Sequence, residues 1–401
     1  MWAIRRGAGP AGSRPLLTGG MHVSERLARG GRVRRLFPGG NTGYGFYSFY
    51  DYIVSPDARK IFVIKGGPGV GKSSFMRKIG EELLHRGFDI EFHHCSSDNG
   101  SLDGVYVPGL DIALIDGTAP HIVDPKNPGA VDEIVHLGDY WDEAGMRRNR
   151  EPILRLNREV GRLFRRAYDY LQEALILGRA AESYYVDADA LDLAGLNEIG
   201  RKLVADVVGG NTADRVPKAR HLFASAITPD GPLNYFDTIF DALDRRVILN
   251  GKPGTGKTTL VHKVYDAALA AGFDVEAFHC ALDPGKIDHV VVPALGVAVV
   301  NSQWPHPYAP RPGDKVIDTN EFVRTAALEP YRDEMSRVQD DLEAAMERAV
   351  GFIHQAKRMH DEMESYYVPN MHFEAINARR DSVLQRILEL AAEHGYEAAS
   401  S

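Results

Sequence analysis

Cysteine is nearly absent: Cys95 and Cys280 are the only two in 401 residues, too few for the disulfide framework on which small secreted folds depend. No apolar run is long enough to cross a bilayer. The opening stretch MWAIRRGAGPAGSRPLLTGG lacks the apolar segment of a secretory signal. These absences argue against a membrane role and make the cytoplasm the expected compartment. Positive charge is not in surplus either, since the formal net charge is -8. That disfavours a surface built throughout for nucleic acid and leaves only a local basic patch open. Hydrophobic residues at 44% and charged residues at 25% fall in the globular range, so two domains of ordinary size are expected. Residues 1–33 mix Gly, Pro and Arg and read as a disordered basic tail, with Met21 an alternative start.

What the chain does contain is an internal repeat. Residues 60–121 align without a gap on 245–306, and about 23 of the 62 pairs are identical. GFDIEFHHC answers GFDVEAFHC, Asp98 answers Asp283, Asp103 answers Asp288, and Pro120-His121 answers Pro305-His306. Further out, RRLF (34–37) matches RHLF (220–223), and ESYYV (182–186) matches ESYYV (364–368). The repeat therefore predicts two domains, 34–209 and 210–401. In each, short β-branched runs such as IFVIK (61–65), RVILN (246–250), DIALID (111–116) and GVAVVN (296–301) alternate with helical segments. That pattern predicts an α/β fold with a parallel sheet and flanking helices. A long helix follows each sheet. Ile153, Leu156, Val160, Leu163, Ala167, Tyr170, Ala174 and Leu177 recur at alternating steps of three and four, as do Tyr331, Met335, Val338, Leu342, Ala345, Ala349, Phe352, Ala356, Met359 and Met363. With a turn at SYYV, each copy is expected to form a helical hairpin, about 145–207 and 328–394, as a packing seam or a partner-binding arm.

Two segments satisfy G-x-x-x-x-G-K-[ST], each between a strand run and a helix run. The first comprises Gly66, Gly67, Pro68, Gly69, Val70, Gly71, Lys72, Ser73 and Ser74. The second comprises Gly251, Lys252, Pro253, Gly254, Thr255, Gly256, Lys257, Thr258 and Thr259. Glycine lets successive backbone N–H groups wrap a phosphate, and the following helix adds its positive end. Lys72 and Lys257 are expected to reach the β- and γ-phosphates, with the hydroxyls of Ser73 and Thr258 on Mg2+. Asp116 is the candidate carboxylate for the first magnesium ion, the alternative being a cap on the turn at Gly117. Its counterpart is Asn301, which carries no charge, so the second site is expected to hydrolyse poorly. Asp98 is a candidate to orient an attacking water or accept a proton, against an Asx turn in SSDNGS; Asp103 is weaker.

Four further features carry two readings each. His94-Cys95 and His279-Cys280 read as buried pairs rather than metal ligands, because no second ligand stands at a recognised spacing. His121 and His306 are candidate γ-phosphate sensors or plain loop residues. Arg147, Arg148, Arg150, Arg155, Arg158, Arg162, Arg165 and Arg166 face, in the other copy, Asp333, Glu334, Asp340, Asp341, Glu343 and Glu347. The arms are expected to attract one another, within or between chains, and one arginine to act as a finger on the nucleotide; solvated faces are the plain alternative.

GFYSFYDYI, KGGPGVGKSSFMRKIGEELL, HHCSSD and DGTAPHIVDPKNPGAVDEIVHLGDYWDE together resemble a bacterial family of tandemly duplicated P-loop ATPase-like proteins with no assigned role. The resemblance implies two P-loop domains, ATP binding and ATPase activity, and names no substrate. VNSQWPH in the second copy departs from IDGTAPH in the first, which weakens the expectation of hydrolysis there. The chain has no N-K-x-D element to read guanine, no LSGGQ-like signature, and no acidic pair closing the strand at Asp116. The expectation is an ATPase with a working first site and a regulatory second one. A small-molecule or nucleotide kinase and a non-hydrolytic ATP-sensing scaffold are the alternatives.

Overall fold

The structure, a computed structural model, describes residues 30–119 and 122–396. The tail to residue 29, with Met21, and His121 lie outside the described residues. The first unit holds eight strands: β1 (Val33–Leu36), β2 (Gly39–Thr42), β3 (Gly45–Ser48), β4 (Lys60–Lys65), β5 (Ile90–His94), β6 (Leu102–Val107), β7 (Ile112–Asp116) and β8 (Asp132–His136). Six form a sheet in the order β1-β5-β6-β7-β4-β8. The apolar run of β4 lies at its heart, parallel to β7 and β8, with Phe62, Val63 and Ile64 fully buried.

The sheet is mixed rather than parallel, because β6 runs antiparallel to both β5 and β7. Its links, Cys95–Ser101 and Pro108–Asp111, are too short for the crossover that a parallel neighbour requires. The second link turns on Asp111 at φ 53, and its counterpart Gly296 takes φ 60, a conformation that glycine or aspartate tolerates. The second unit repeats the plan. Its strands are β9 (Ala219–Leu222), β10 (Ser225–Thr228), β11 (Gly231–Asn234), β12 (Arg245–Asn250), β13 (Val275–His279), β14 (Ile287–Val292), β15 (Val297–Ser302) and β16 (Lys315–Asp318), and its sheet order is β16-β12-β15-β14-β13-β9.

The two units meet like the halves of a two-fold dimer. Phe37 and its counterpart Phe223 exchange backbone hydrogen bonds, each 3.0 Å. Arg34 lies 2.7 Å from Glu91 and 2.6 Å from Glu276, and Arg220 lies 2.6 Å and 3.4 Å from the same two carboxylates. This neutral quartet pairs each arginine with its own unit and with the other. Burial alone would raise the Glu91 carboxyl, yet Arg220 and Arg34 hold it well below the usual carboxylate range.

The helices are α1 (Lys72–His85), α2 (Glu143–Arg148), α3 (Arg150–Asp187) and α4 (Leu193–Val207) in the first unit. The second has α5 (Phe236–Phe240), α6 (Lys257–Ala270), α7 (Thr325–Leu328), α8 (Arg332–Tyr367) and α9 (Phe373–Ala392). The expected hairpins do not form. Instead α3 packs antiparallel on α8, with Ala167, Leu171 and Ala174 buried against Leu342, Ala345 and Ala349. Tyr170 stacks on its own counterpart Phe352 at 5.7 Å. A hairpin would need the seam of α3 for α4, but α8 already covers it. With 38 residues, α3 spans about 57 Å and delivers α4 to the second unit. There Leu203 and Val207 join Leu260, Val261 and Val264 in one core. Reciprocally, Ile376, Val383 and Ile387 of α9 complete the first core with Phe75, Met76 and Ile79. The sequence units 34–209 and 210–401 are therefore not the packed units.

Charge attraction does not hold the arms together. Arg155 comes within 3.6 Å of Glu362 across the pair, but both are exposed, and Arg162 and Arg166 turn to Glu159 and Asp169 of their own helix. Such pairs contribute little in water, so the apolar seam dominates. No helix among the described residues is long and apolar enough to cross a membrane.

Candidate functional site

Each glycine loop runs from the end of a buried strand, β4 or β12, into a helix whose first residue is lysine. Gly71 at φ 88 and Gly256 at φ 95 make the turn into the helix in the left-handed region, where a side chain would be strained. Lys72 curls back so that its Nζ donates to the carbonyls of Gly66 (3.1 Å) and Gly67 (2.8 Å), and stands 3.6 Å from Asp116. Lys257 does the same to Gly251 (2.7 Å) and Lys252 (2.6 Å). Burial pulls Lys257 down to about 8, against the opposing charges of Asp288, Glu182 and Asp318. Val70 is buried beneath the first loop. In the second, Thr255 bonds to Thr319 at 2.6 Å and to the Lys252 carbonyl, fixing the loop from within. Pro68 and Pro253 sit mid-loop, and Ser74, Thr258 and Thr259 lie in the first turns of α1 and α6.

The carboxylates gather at the strand ends beside each lysine. Asp116 accepts from the Thr118 N–H at 2.9 Å, as a turn cap would, while its other oxygen faces Lys72. The cap reading of Asp116 is thus realised, and its second oxygen lies beside the loop lysine. Burial raises its pKa, with the Lys72 charge opposing and the Asp103 charge adding to the rise. Asp103 is more central than its sequence suggested: buried, it accepts from Tyr50 Oη at 2.5 Å and is raised to about 6 by desolvation. Ser73 Oγ accepts from the N–H of Leu102, the residue before Asp103. At the second site Asn301 Nδ2 donates to Asp288 at 3.2 Å, and burial raises Asp288 to about 6. An amide stands there where the first site has a second carboxylate.

Asp98 is part of the turn, accepting from Ser101 Oγ at 2.8 Å, and it also lies 3.6 Å from Lys357 of α8. Its counterpart Asp283 lies 3.1 Å from Arg179 of α3. Each strand-end aspartate thus meets a cation from the other unit's long helix. The cation at the second site is Arg179, outside the arginine-rich stretch 147–166 where a finger was expected.

The repeated ESYYV, read as a turn marker, delivers Glu364 and Tyr367 to the first loop and Glu182 and Tyr185 to the second. Glu364 Oε1 accepts from the Gly69 N–H at 3.1 Å. Glu182 instead binds Lys286 Nζ at 2.5 and 2.7 Å. The sequence cue was a glutamate repeated in an identical pentapeptide; what it lacked was the crossing of the arms.

His94 and His279 bond to carbonyls of Asn99 and Pro284 and are pushed down to about 4 by burial, the desolvated state expected of core histidines. Burial likewise raises both cysteine thiols. His306 is also lowered to about 4 by burial. It lines a cavity of about 120 Å³ at the second loop, with Arg179, Glu182, Asp288, Asn301 and Met346. Both ring nitrogens of His306 and Asn301 Oδ1 are buried there without a hydrogen-bond partner among the described residues. Comparison with protein-family models, curated proteins and solved structures found no match. The family resemblance therefore rests on the residues quoted for it.

Proposed function

We propose that the protein binds ATP with Mg2+ at both glycine loops and hydrolyses it at the first. The observation that carries this reading is the matched pair of loops, each with a left-handed glycine, a lysine opening a helix and strand-end carboxylates beside it. Backbone N–H groups of Gly69 to Lys72 cradle the phosphates, and Lys72 leaves its two loop carbonyls for the β- and γ-oxygens. Ser73, Asp116 and the adjacent Asp103 suit a hard divalent cation, since a half-buried and a buried carboxylate, both with raised pKa values, gain from one. Bound there, magnesium neutralises charge on the β- and γ-phosphates. Thr258 with Asn301 and Asp288 offers one carboxylate fewer, which makes the second loop a regulatory site. To Asp98, with Lys357 beside it, we assign the orientation of an attacking water.

Phosphoryl transfer to a small hydroxylated molecule is the second reading, favoured by the cavity with unpartnered polar atoms beside Asp288. ATP binding and turnover by the wild type, Lys72→Ala and Lys257→Ala, with product identification, separates the readings. Inorganic phosphate lost with Lys72→Ala supports hydrolysis at the first loop. Phosphate on an organic acceptor decides for a kinase, and binding without turnover decides for an ATP-sensing scaffold. Turnover that survives Lys72→Ala but not Lys257→Ala reverses the assignment of the two loops.

A further inference from the structure

The ESYYV backbone approaches both loops in the same way. A Cβ built on Gly69 would lie 3.3 Å from the Glu364 Cα, and one built on Gly254 would lie 3.2 Å from the Glu182 Cα. The carboxylates diverge. Glu364 turns onto the loop and accepts from Gly69 N–H, whereas Glu182 turns away to Lys286. The cation that draws Glu182 away is missing from the first unit: the position of Lys286 is held there by Ser101, which brings no charge. Glu364 has His360 at 3.7 Å, and the nearby Lys357 is drawn to Asp361 and Asp98. The strongest donor left to Glu364 is the loop itself, and a carboxylate on a backbone N–H is a charge-assisted bond.

We propose that Glu364 is an affinity-determining residue of the first loop, supplied by the other unit, which occupies one of the phosphate-binding N–H groups, that of Gly69, and competes with the nucleotide. Lys286 relieves the second loop of the same competition by holding Glu182. The proposal rests on the reading of the loops as phosphate sites. Carboxylate and phosphate are both anions seeking the same donors, so one must leave for the other to bind. The two loops therefore differ in intrinsic affinity, the second taking nucleotide first.

The test is titration calorimetry with MgATP on the full chain carrying Lys257→Ala, so that the first loop alone reports. Removing the competing anion with Glu364→Ala should tighten binding about tenfold, the range set by one charge-assisted hydrogen bond. Glu364→Gln should do less, because its amide oxygen still accepts from Gly69. Ser101→Lys, which copies the second unit, should also tighten the first loop, and Lys286→Ala in a Lys72→Ala chain should weaken the second. Thermal melts of each variant establish that it is folded. Unchanged or weaker affinity in folded Glu364→Ala overturns the proposal while leaving the phosphate-site reading intact. Absence of MgATP binding in the wild type and in Glu364→Ala alike overturns both.

Discussion

The Arg34–Glu91–Arg220–Glu276 quartet lends itself to a quantitative test, because Glu91→Gln removes one charge from a neutral buried cluster and leaves a net positive one. Glu91 is 2% exposed and accepts from Arg34 at 2.7 Å and from Arg220 at 2.6 and 3.1 Å. Removing one partner of a buried ion pair costs about 3–5 kcal/mol. Both arginines keep Glu276 and stay partly open to solvent, which places the loss at the lower end, about 3 kcal/mol. The pH dependence has a definite sign. Burial works against the charged forms of Glu91 and Glu276, but the arginines hold both below the ordinary value of 4.5. Their contribution is full above that value and is lost as pH falls through the lower folded-state values. Urea denaturation at about pH 7 and about pH 3 should therefore show the wild type and Glu91→Gln differing by about 3 kcal/mol at the higher pH and converging at the lower. Replacing all four residues with Leu and Met should be nearly neutral, since no charge is then stranded. A Glu91→Gln loss under about 1 kcal/mol at neutral pH, or a quadruple variant as unstable as the single one, would refute the reasoning.

Lys257, lowered to about 8 by burial, binds fewer protons folded than unfolded between that value and 10.5, so its contribution to stability rises with pH across that window. Lys257→Met should abolish the rise in melting temperature there; a rise that persists would show another group responsible. Asn301→Asp places two carboxylates together at the second loop, as Asp103 and Asp116 stand at the first. It should lower the melting temperature without magnesium and recover it when magnesium is added, and equal melts with and without the ion would contradict that. Ile387→Ala, at a fully buried position of α9, should cost about 2–5 kcal/mol and expose first-unit peptides to proteolysis. Cleavage confined to the second unit would mean α9 does not complete the first core.

Much of the local structure was legible because it is written in local rules. The glycine loops announce themselves by spacing and context, the strands Lys60–Lys65 and Arg245–Asn250 by β-branched apolar runs, and the long helices by the step of three and four. The reversed strand β6 was hidden in links too short for a crossover, which a repeat alignment does not weigh. The crossing of the arms was hidden more deeply. Periodicity says that the stripe through Leu163, Ala167 and Ala174 must be covered, but a cover from the same copy and one from the other copy satisfy it equally. Two near-identical units make the choice degenerate, and only the full packing, with Tyr170 on Phe352 and α9 closing the first core, breaks the tie. The candidate site inherits that blindness. Glu182, Glu364, Lys357 and Arg179 act on loops at least 69 residues away in sequence, so no motif that includes a loop includes them. Even the exchange of Ser101 for Lys286 is plain in the alignment, yet it has no meaning until a glutamate from the opposite unit is known to stand beside each. Once the arms cross, that exchange sets a lysine beside the glutamate at one loop and none at the same position of the other.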